Sequence, residues 1–304
     1  MQPTPYHPGE LMVQQRAGEA APASLNGRNV APHVTAAARG FVSQQDLVLL
    51  GTADLHGRLW ASLITGRPGF AAVSDDLGGV TLGIADPEHV LEHFPSLEEL
   101  HENDPIALLF IELGTRRRLR VNGTLASVDL AAIRVQVAQS YAACPKYIQR
   151  RRPVEVGRDQ SVVAASITEG LAALVAQIQR ADTLFIASAG ADGLLDVSHK
   201  GGRAGFAEWR DGVLHIPDYA GNSMFNTLGN LELDDRAGIC IPDFEHSCQW
   251  MLTGRAQGLF AVAGTEDQTG GTLRWIEFHP AEWRCVPLNV AREWTLVDSS
   301  PFNP

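Results

Sequence analysis

No apolar run in this 304-residue chain approaches the roughly 20 residues that a membrane-spanning helix requires. Residues Met1 to Ala23 are polar, carry Pro3, Pro5, Pro8 and Pro22, and contain no apolar core of a signal peptide, so a cytoplasmic location is expected. Cysteine is scarce. Cys144, Cys240, Cys248 and Cys285 form no CxxC pair and no zinc spacing, and are expected as buried thiols with no metal site. Positive charge is also scarce, with 24 Lys and Arg against 35 Asp and Glu and a net charge of −11. That balance excludes nucleic acid or an anionic membrane as the main partner, since both require a broad basic footprint. It leaves room for a small anionic ligand, because a few basic groups suffice to make a local positive site. What remains, 45% hydrophobic and 19% charged residues, is the mix of a globular protein large enough for two domains.

The chain repeats itself. Asp46-LVLLGTADLHGRLWASLITGRPG-Phe70 realigns without gaps on Asp182-TLFIASAGADGLLDVSHKGGRAG-Phe206, with nine of 25 positions identical. Unrelated segments would agree at roughly one or two. Shared hairpin chemistry accounts for recurring Gly and Asp, but not for Ser, Arg and Phe recurring outside the turn at the same spacing. Weaker matches follow. Asn103-DPIALLFIE resembles Asp234-DRAGICIPD, and Leu119-RVNG resembles Trp250-MLTG. The domain is therefore duplicated, with residues 1–30 as an irregular arm wrapping the core, 31–150 as the first copy and 151–304 as the second.

Each copy is expected to open on a helix, Val34 to Ser43 in the first and the stripe Ile167, Leu171, Leu174 and Ile178 in the second. Short apolar strands then alternate with turn residues: Leu47 to Thr52, Val80 to Ala85, Ile106 to Glu112 and Leu119 to Gly123, against Thr183 to Ser188, Val213 to Pro217, Ala237 to Pro242 and Gln249 to Gly254. Asp54-LHG and Gly190-ADG read as hairpin turns. Further strands are expected at Gly258 to Ala263 and Leu273 to Phe278. Leu130, Ile133, Val137, Tyr141 and Cys144 lie at helical spacing and predict a helix closing the first copy, followed by a linker at Val154-EVGRDQ. Many short antiparallel strands with few helices predict a mainly β fold of tandem barrels with flanking helices.

Chemistry concentrates in Val197-SHKGGRAGF and Asp218-YAGNSMFN. Ser198 and Lys200 fall on one face of a strand and His199 on the other. Gly201 and Gly202 permit close approach of a ligand. Asn222 and Ser223 precede a helical turn, whose free N–H groups suit a phosphate. Taken singly, Lys200 and Arg203 also read as solvated charge, Asn222 and Ser223 as an ordinary cap, and Arg116 to Arg120 as a solvated hairpin. His199 has no evident carboxylate partner and is not assigned as a general acid.

The strand–turn–strand ending in Ser-x-Lys-Gly, the Tyr-containing loop before GNLELDDRAGI, the Gln249-WMLTGRA strand and the Cys144-PKYIQRR tract together resemble the pyridoxamine 5′-phosphate oxidase-like split-barrel family, in its two-copy flavin-nucleotide-binding form. The resemblance covers nearly all of the chain after residue 30. It implies six-stranded split barrels paired as a dimer, here within one chain, with flavin mononucleotide (FMN) held at their interface and oxidoreductase chemistry. By motif position it implies a phosphate cradle of Ser198, Lys200, Asn222 and Ser223, with His199 and Asp218 beside it and Gln249 near the flavin ring. The first copy departs from the pattern: Leu63 and Ile64 stand where the second has His199 and Lys200, and Asp86-PEHVLEHFPSL is acidic, so its site is expected to be degenerate. It could still lend Arg116, Arg117, Arg118 or the Lys146-Tyr147 tract across the interface. Alternatives are a non-enzymatic flavin or haem module, with His199, His215 or His246 as axial candidates, and a subunit that docks with a separate reductase. The substrate or electron donor, and further pairing of two chains into a homodimer, stay open.

Overall fold

The structure, a computed structural model, describes residues 4–88, 90, 94, 99–129, 131–155, 170–191, 193–290 and 292–304. The repeat is realised as two seven-stranded antiparallel sheets of identical order. In the first half the strands are β1 (Leu47–Ala53), β2 (Leu59–Thr65), β3 (Ala71–Val73), β4 (Gly79–Gly83), β5 (Pro105–Glu112), β6 (Arg117–Val128) and β7 (Ala132–Ala142). After β8 (Arg150–Glu155), the second half has β9 (Thr183–Ala189), β10 (Leu195–Gly201), β11 (Glu208–Arg210), β12 (Val213–Pro217), β13 (Arg236–Asp243), β14 (Cys248–Leu259) and β15 (Trp275–Pro287). The orders β2-β1-β5-β6-β7-β4-β3 and β10-β9-β13-β14-β15-β12-β11 match strand for strand. The expected mainly β architecture of tandem split barrels with flanking helices is the observed one.

The match extends to register. Leu49 faces Leu63 across β1 and β2, as Phe185 faces His199 across β9 and β10. Ile111 faces Arg118 as Pro242 faces Gln249. Both long hairpins also shift register at the same place, between Asn122 and Gly123 and between Thr253 and Gly254. A Cβ on either bulge glycine would run into the partner strand's backbone at Gln136 or His279, so the close crossing admits only glycine there.

Strand periodicity explains how the halves join. Val48 and Leu50 of β1 point into the first barrel's core, and Leu184 and Ile186 of β9 into the second. The alternate residues, Leu47, Leu49, Phe185 and Ala187, meet in a third core between the barrels, with Leu63, Leu109, Val197 and Cys240. Strands buried on both faces read as continuous apolar runs, which is how β1 and β9 look in sequence. Gly51 and Gly238 let the halves approach. A Cβ at Gly238 would lie 2.5 Å from the Leu59 carbonyl oxygen and 2.7 Å from the Trp60 Cα.

Several expectations are corrected. Residues 131–142 form no helix. Ile133, Val135 and Val137 alternate with exposed Arg134 and Gln136 in β7, and this period-two burial with β-branched residues overrides the helical stripe. Leu130 lies outside the described residues. Gly258 and Leu259 finish β14 rather than starting a new strand, and Leu273 precedes β15. Val154 and Glu155 belong to β8, which pairs with β16 (Arg292–Asp298) in a two-stranded sheet, while residues 156–160 of the expected linker, and Ile167, lie outside the described residues. The N-terminal arm is not irregular. It forms α1 (Pro8–Arg16) and α2 (Ala20–Gly27), ahead of α3 (Ala36–Ser43), with α4 (Leu171–Arg180) opening the second copy. A His7–Glu10 capping box and Pro8 in the first turn start α1. It packs on α5 (Asn226–Leu231) where Gly9 meets Gly229, too close for side chains at either position. Cys240, Cys248 and Cys285 are buried as expected, Cys144 is half-buried, and no disulfide joins any of the four among the described residues. No helix among the described residues is long and apolar enough to cross a membrane.

Candidate functional site

One cleft collects most of the residues singled out in the sequence. Ser198, His199, Lys200, Asp218, Asn222 and Ser223 all line it. From the first half come Arg118 and Arg120 at the start of β6, and Cys144, Lys146 and Tyr147 from the segment after β7. The lender role foreseen for the first copy thus falls to Arg118 and the Lys146-Tyr147 tract. Arg116 is tied instead to Asp298, and Arg117 pairs with Glu112 at 2.7 Å on the surface.

The floor of the cleft is a buried polar network across the two halves. Arg120 donates to Asp196 at 2.8 Å, to the Tyr141 hydroxyl at 2.8 Å and to the Ser198 hydroxyl at 2.5 Å. Asp196 also accepts from Asn122 at 2.7 Å and from Asn230 at 3.1 Å. Burial opposes the charge on Arg120, but Tyr141 and Asp196 outweigh it and raise the guanidinium's pKa. The reading of Arg116 to Arg120 as a solvated hairpin fails at this residue. Glu10 of α1 reaches the same network, and burial, aided by the Asp196 charge, lifts its pKa to about 8.

The wall is basic. Lys200 donates to Asp218 at 2.7 Å, and Arg274, at the entry to β15, donates to the other Asp218 oxygen at 3.0 Å. Burial works against the Asp218 carboxylate, but its two cations hold the pKa below the usual range. Arg118 has no carboxylate partner among the described residues, its buried Nε makes no hydrogen bond, and desolvation pulls its pKa down to about 10. His199 is buried with Nε2 unpartnered. Desolvation, then the charges of Arg118, Lys200 and Arg151, drive its pKa well below the imidazole value, so it is neutral at pH 7. Backbone strain gathers here too. Tyr147, Ser223 and Phe225 line the cleft with φ of 66°, 64° and 60°, left-handed values that non-glycine residues rarely adopt.

The helical arm bounds the remaining side. Glu19 accepts a 2.6 Å hydrogen bond from Ser223 and lies 3.5 Å from Arg274. Asn26 donates to the Asn222 carbonyl at 2.7 Å, and Gln14 to the Met224 carbonyl at 3.0 Å. The side chain of Asn222 accepts from the Met224 N–H at 3.2 Å in a local turn. Asn222 and Ser223 are therefore in the cleft, as expected, but already engaged.

Gln249 is not in the cleft. It is fully buried against the first copy, where Oε1 accepts from the Leu63 N–H at 2.7 Å and Nε2 donates to the Leu63 carbonyl at 2.8 Å. β14 reaches across the pseudo-twofold, so its glutamine belongs to the first copy's edge strand. The residue that takes the matching place at the second copy is Arg118. Arg274 and Glu19 were not singled out in the sequence; each meets its partner only through the fold, Arg274 from 56 and Glu19 from 204 positions away. Among the haem candidates, His215 lies 3.5 Å from Glu277 and exposed His246 2.9 Å from Asp243, and neither lines the cleft.

The cleft measures about 120 Å³, below the ~300 Å³ typical of pockets that enclose a whole small-molecule ligand. It suits the anionic end of a ligand, with the rest lying over the rim where Tyr147 and Tyr219 stand with ring centroids 5.0 Å apart.

No family profile and no curated protein matches the chain. Solved structures do. HupZ from Group A Streptococcus is 15% identical, with a TM-score of 0.32 over 38% of this chain and 92% of its own. A structure from Corynebacterium glutamicum named for pyridoxamine 5′-phosphate oxidase is 15% identical, with a TM-score of 0.28 over 43% and 94%. The FAD binding protein from Mycobacterium smegmatis is 9% identical, with a TM-score of 0.28 over 40% and 97%. Each match takes nearly the whole of the other chain and about two fifths of this one. In fold, the chain is similar to the pyridoxamine 5′-phosphate oxidase-like and flavin-binding split-barrel proteins.

Proposed function

We propose that the cleft binds a phosphorylated flavin, FMN, and that the protein is a flavin-dependent oxidoreductase. The observation that carries this reading is the half-buried Arg118 beside Lys200, whose buried Nε makes no hydrogen bond and which has no carboxylate partner among the described residues, in a chain whose net charge is −11. A partly desolvated cation without a counter-ion is costly, and an anionic ligand end is the group that would offset it. Lys200 and Arg118 would hold the phosphate, with Arg274 and Asp218 fixing the Lys200 ammonium. Ser198 is held by Arg120 and would orient rather than charge the site. Tyr147 and Tyr219 would flank the ring system at the rim. When bound, the flavin supplies the redox chemistry, and the chain positions it. Neutral His199 has no proton to donate as a cation near pH 7, so proton delivery by that residue is not part of the proposal. The likeness to split barrels that bind flavins agrees with this reading. The cytoplasm is the compartment we propose for it.

The test is the visible spectrum after incubation with FMN and removal of excess ligand. Flavin bands that bleach on addition of a chemical reductant are expected. A colourless protein that retains no FMN would overturn the proposal, and a Soret band in the isolated protein would point to haem at the orphaned His199 Nε2 instead.

A further inference from the structure

The two halves place equivalent edge strands, β2 and β10, at equivalent positions, and treat them oppositely. Asp46 and Gly66 exchange a backbone bond, as Asp182 and Gly202 do. Counting in from those pairs, Leu63 and Thr65 direct their N–H and C=O groups away from β1, and His199 and Gly201 direct theirs away from β9. On β2 two side-chain amides close this edge like a short extra strand. Gln249 pairs with both Leu63 groups. Asn289 accepts from the Thr65 N–H at 2.8 Å and donates to the Thr65 carbonyl at 2.7 Å. On β10 neither His199 nor Gly201 has a backbone or side-chain bond outside its own sheet among the described residues.

The matched registers identify what replaces the amides. Arg118 occupies the place of Gln249. Tyr141 opposite Arg120 matches Arg284 opposite Met251, and counting on along both chains brings Lys146 to the place of Asn289. Two neutral amides that satisfy an edge strand in one half become two cations in the other. Both line the cleft, and among the described residues neither bonds β10; Lys146 reaches the Ala220 carbonyl instead.

We propose that this exchange makes the tandem chain a one-ligand protein: Gln249 and Asn289 close the first copy's cleft, while Arg118 and Lys146 keep the second open for one anionic ligand beside the free β10 edge. The ligand's identity as FMN rests on the function proposed above; the closure of one edge and the opening of the other does not. Titration of the full chain with FMN should saturate at one per chain, and two per chain would overturn the proposal. Grafting the amides, Arg118→Gln with Lys146→Asn, should close the second edge and lower FMN affinity at least tenfold. The graft should leave the melting temperature unchanged or higher, and unaltered FMN affinity would count against the proposal. Hydrogen exchange gives a ligand-free readout. The Leu63 amide should exchange at least tenfold more slowly than the His199 amide in the native chain, and the graft should slow His199. If the two amides exchange alike, the proposal fails whatever FMN does. If FMN does not bind but the exchange contrast holds, only the flavin reading fails.

Discussion

Replacing Asp196 by alanine would remove the carboxylate on which three buried donors converge. Arg120, Asn122 and Asn230 all bond to it, and the Arg120 and Asp196 side chains are only 6% and 11% exposed. The loss strands a buried guanidinium that keeps only neutral partners, Tyr141 and Ser198. Breaking one side of a buried ion pair costs ~3–5 kcal/mol, and the orphaned Asn122 amide adds up to ~1–3 kcal/mol where water cannot reach it, while Asn230 keeps its bond to Ser188. Contacts within one network do not sum, so ~3–5 kcal/mol is the expected loss, or ~6–15 °C in melting temperature at about 2–3 °C per kcal/mol for a chain of this size. The assay is urea unfolding of Asp196→Ala, Arg120→Met and the double variant. The cycle should show strong coupling, with the double variant less destabilised than the sum of the singles. A loss under ~1 kcal/mol for Asp196→Ala, or additive singles, would refute the claim that this pair pins the halves together.

Three further outcomes follow from the geometry. Gly238→Ala should destabilise by ~1–3 kcal/mol or more in thermal unfolding, because its Cβ meets the rigid β2 backbone, whereas Gly51→Ala meets chiefly the Val197 side chain and should cost less. Glu10 ties stability to pH. Its folded pKa, about 8, lies above its unfolded value near 4.5, so the folded state holds the extra proton between these limits. Stability should fall as pH rises from about 4.5 to 8, by at most little more than ~1 kcal/mol per pH unit from this group. Glu10→Gln should flatten that slope in melting curves recorded across the window. Glu19→Gln removes the negative charge held against Ser223 and Arg274, and should tighten FMN binding several-fold in a fluorescence titration, with no change or a weakening as the contrary result.

The duplicated sheets were legible because β1, β2, β9 and β10 carry the best-preserved half of the repeat, and their turn glycines, Gly57 and Gly193, both take positive φ. β7 was misread because Ile133, Val137 and Tyr141 satisfy a helical stripe by coincidence, while the period-two pattern beneath it needs Val135 and the exposed Arg134 and Gln136 to be weighed as well. Six of the seven residues expected at the site share one cleft, because they lie on β10 and in the loop after β12, which Lys200 and Asp218 tie together. Gln249 escaped that logic. A residue at the start of a long hairpin that crosses a pseudo-twofold serves the other copy, and local sequence carries no sign of the crossing. Arg274 and the α1–α2 arm were missed for the same reason: both reach the cleft only through contacts made by the finished fold.

The account turns on an asymmetric chain with one phosphate wall, in which Lys200 of the second copy works with Arg118 lent by the first. Equilibrium FMN titrations of Lys200→Ala and Arg67→Ala compare that wall with an exposed arginine of the first copy's repeat segment. Losing a charge-assisted contact costs ~1.5–3 kcal/mol, so Lys200→Ala should weaken FMN binding ~10- to 100-fold while Arg67→Ala leaves it within about twofold. Equal losses in the two variants would contradict the asymmetric site.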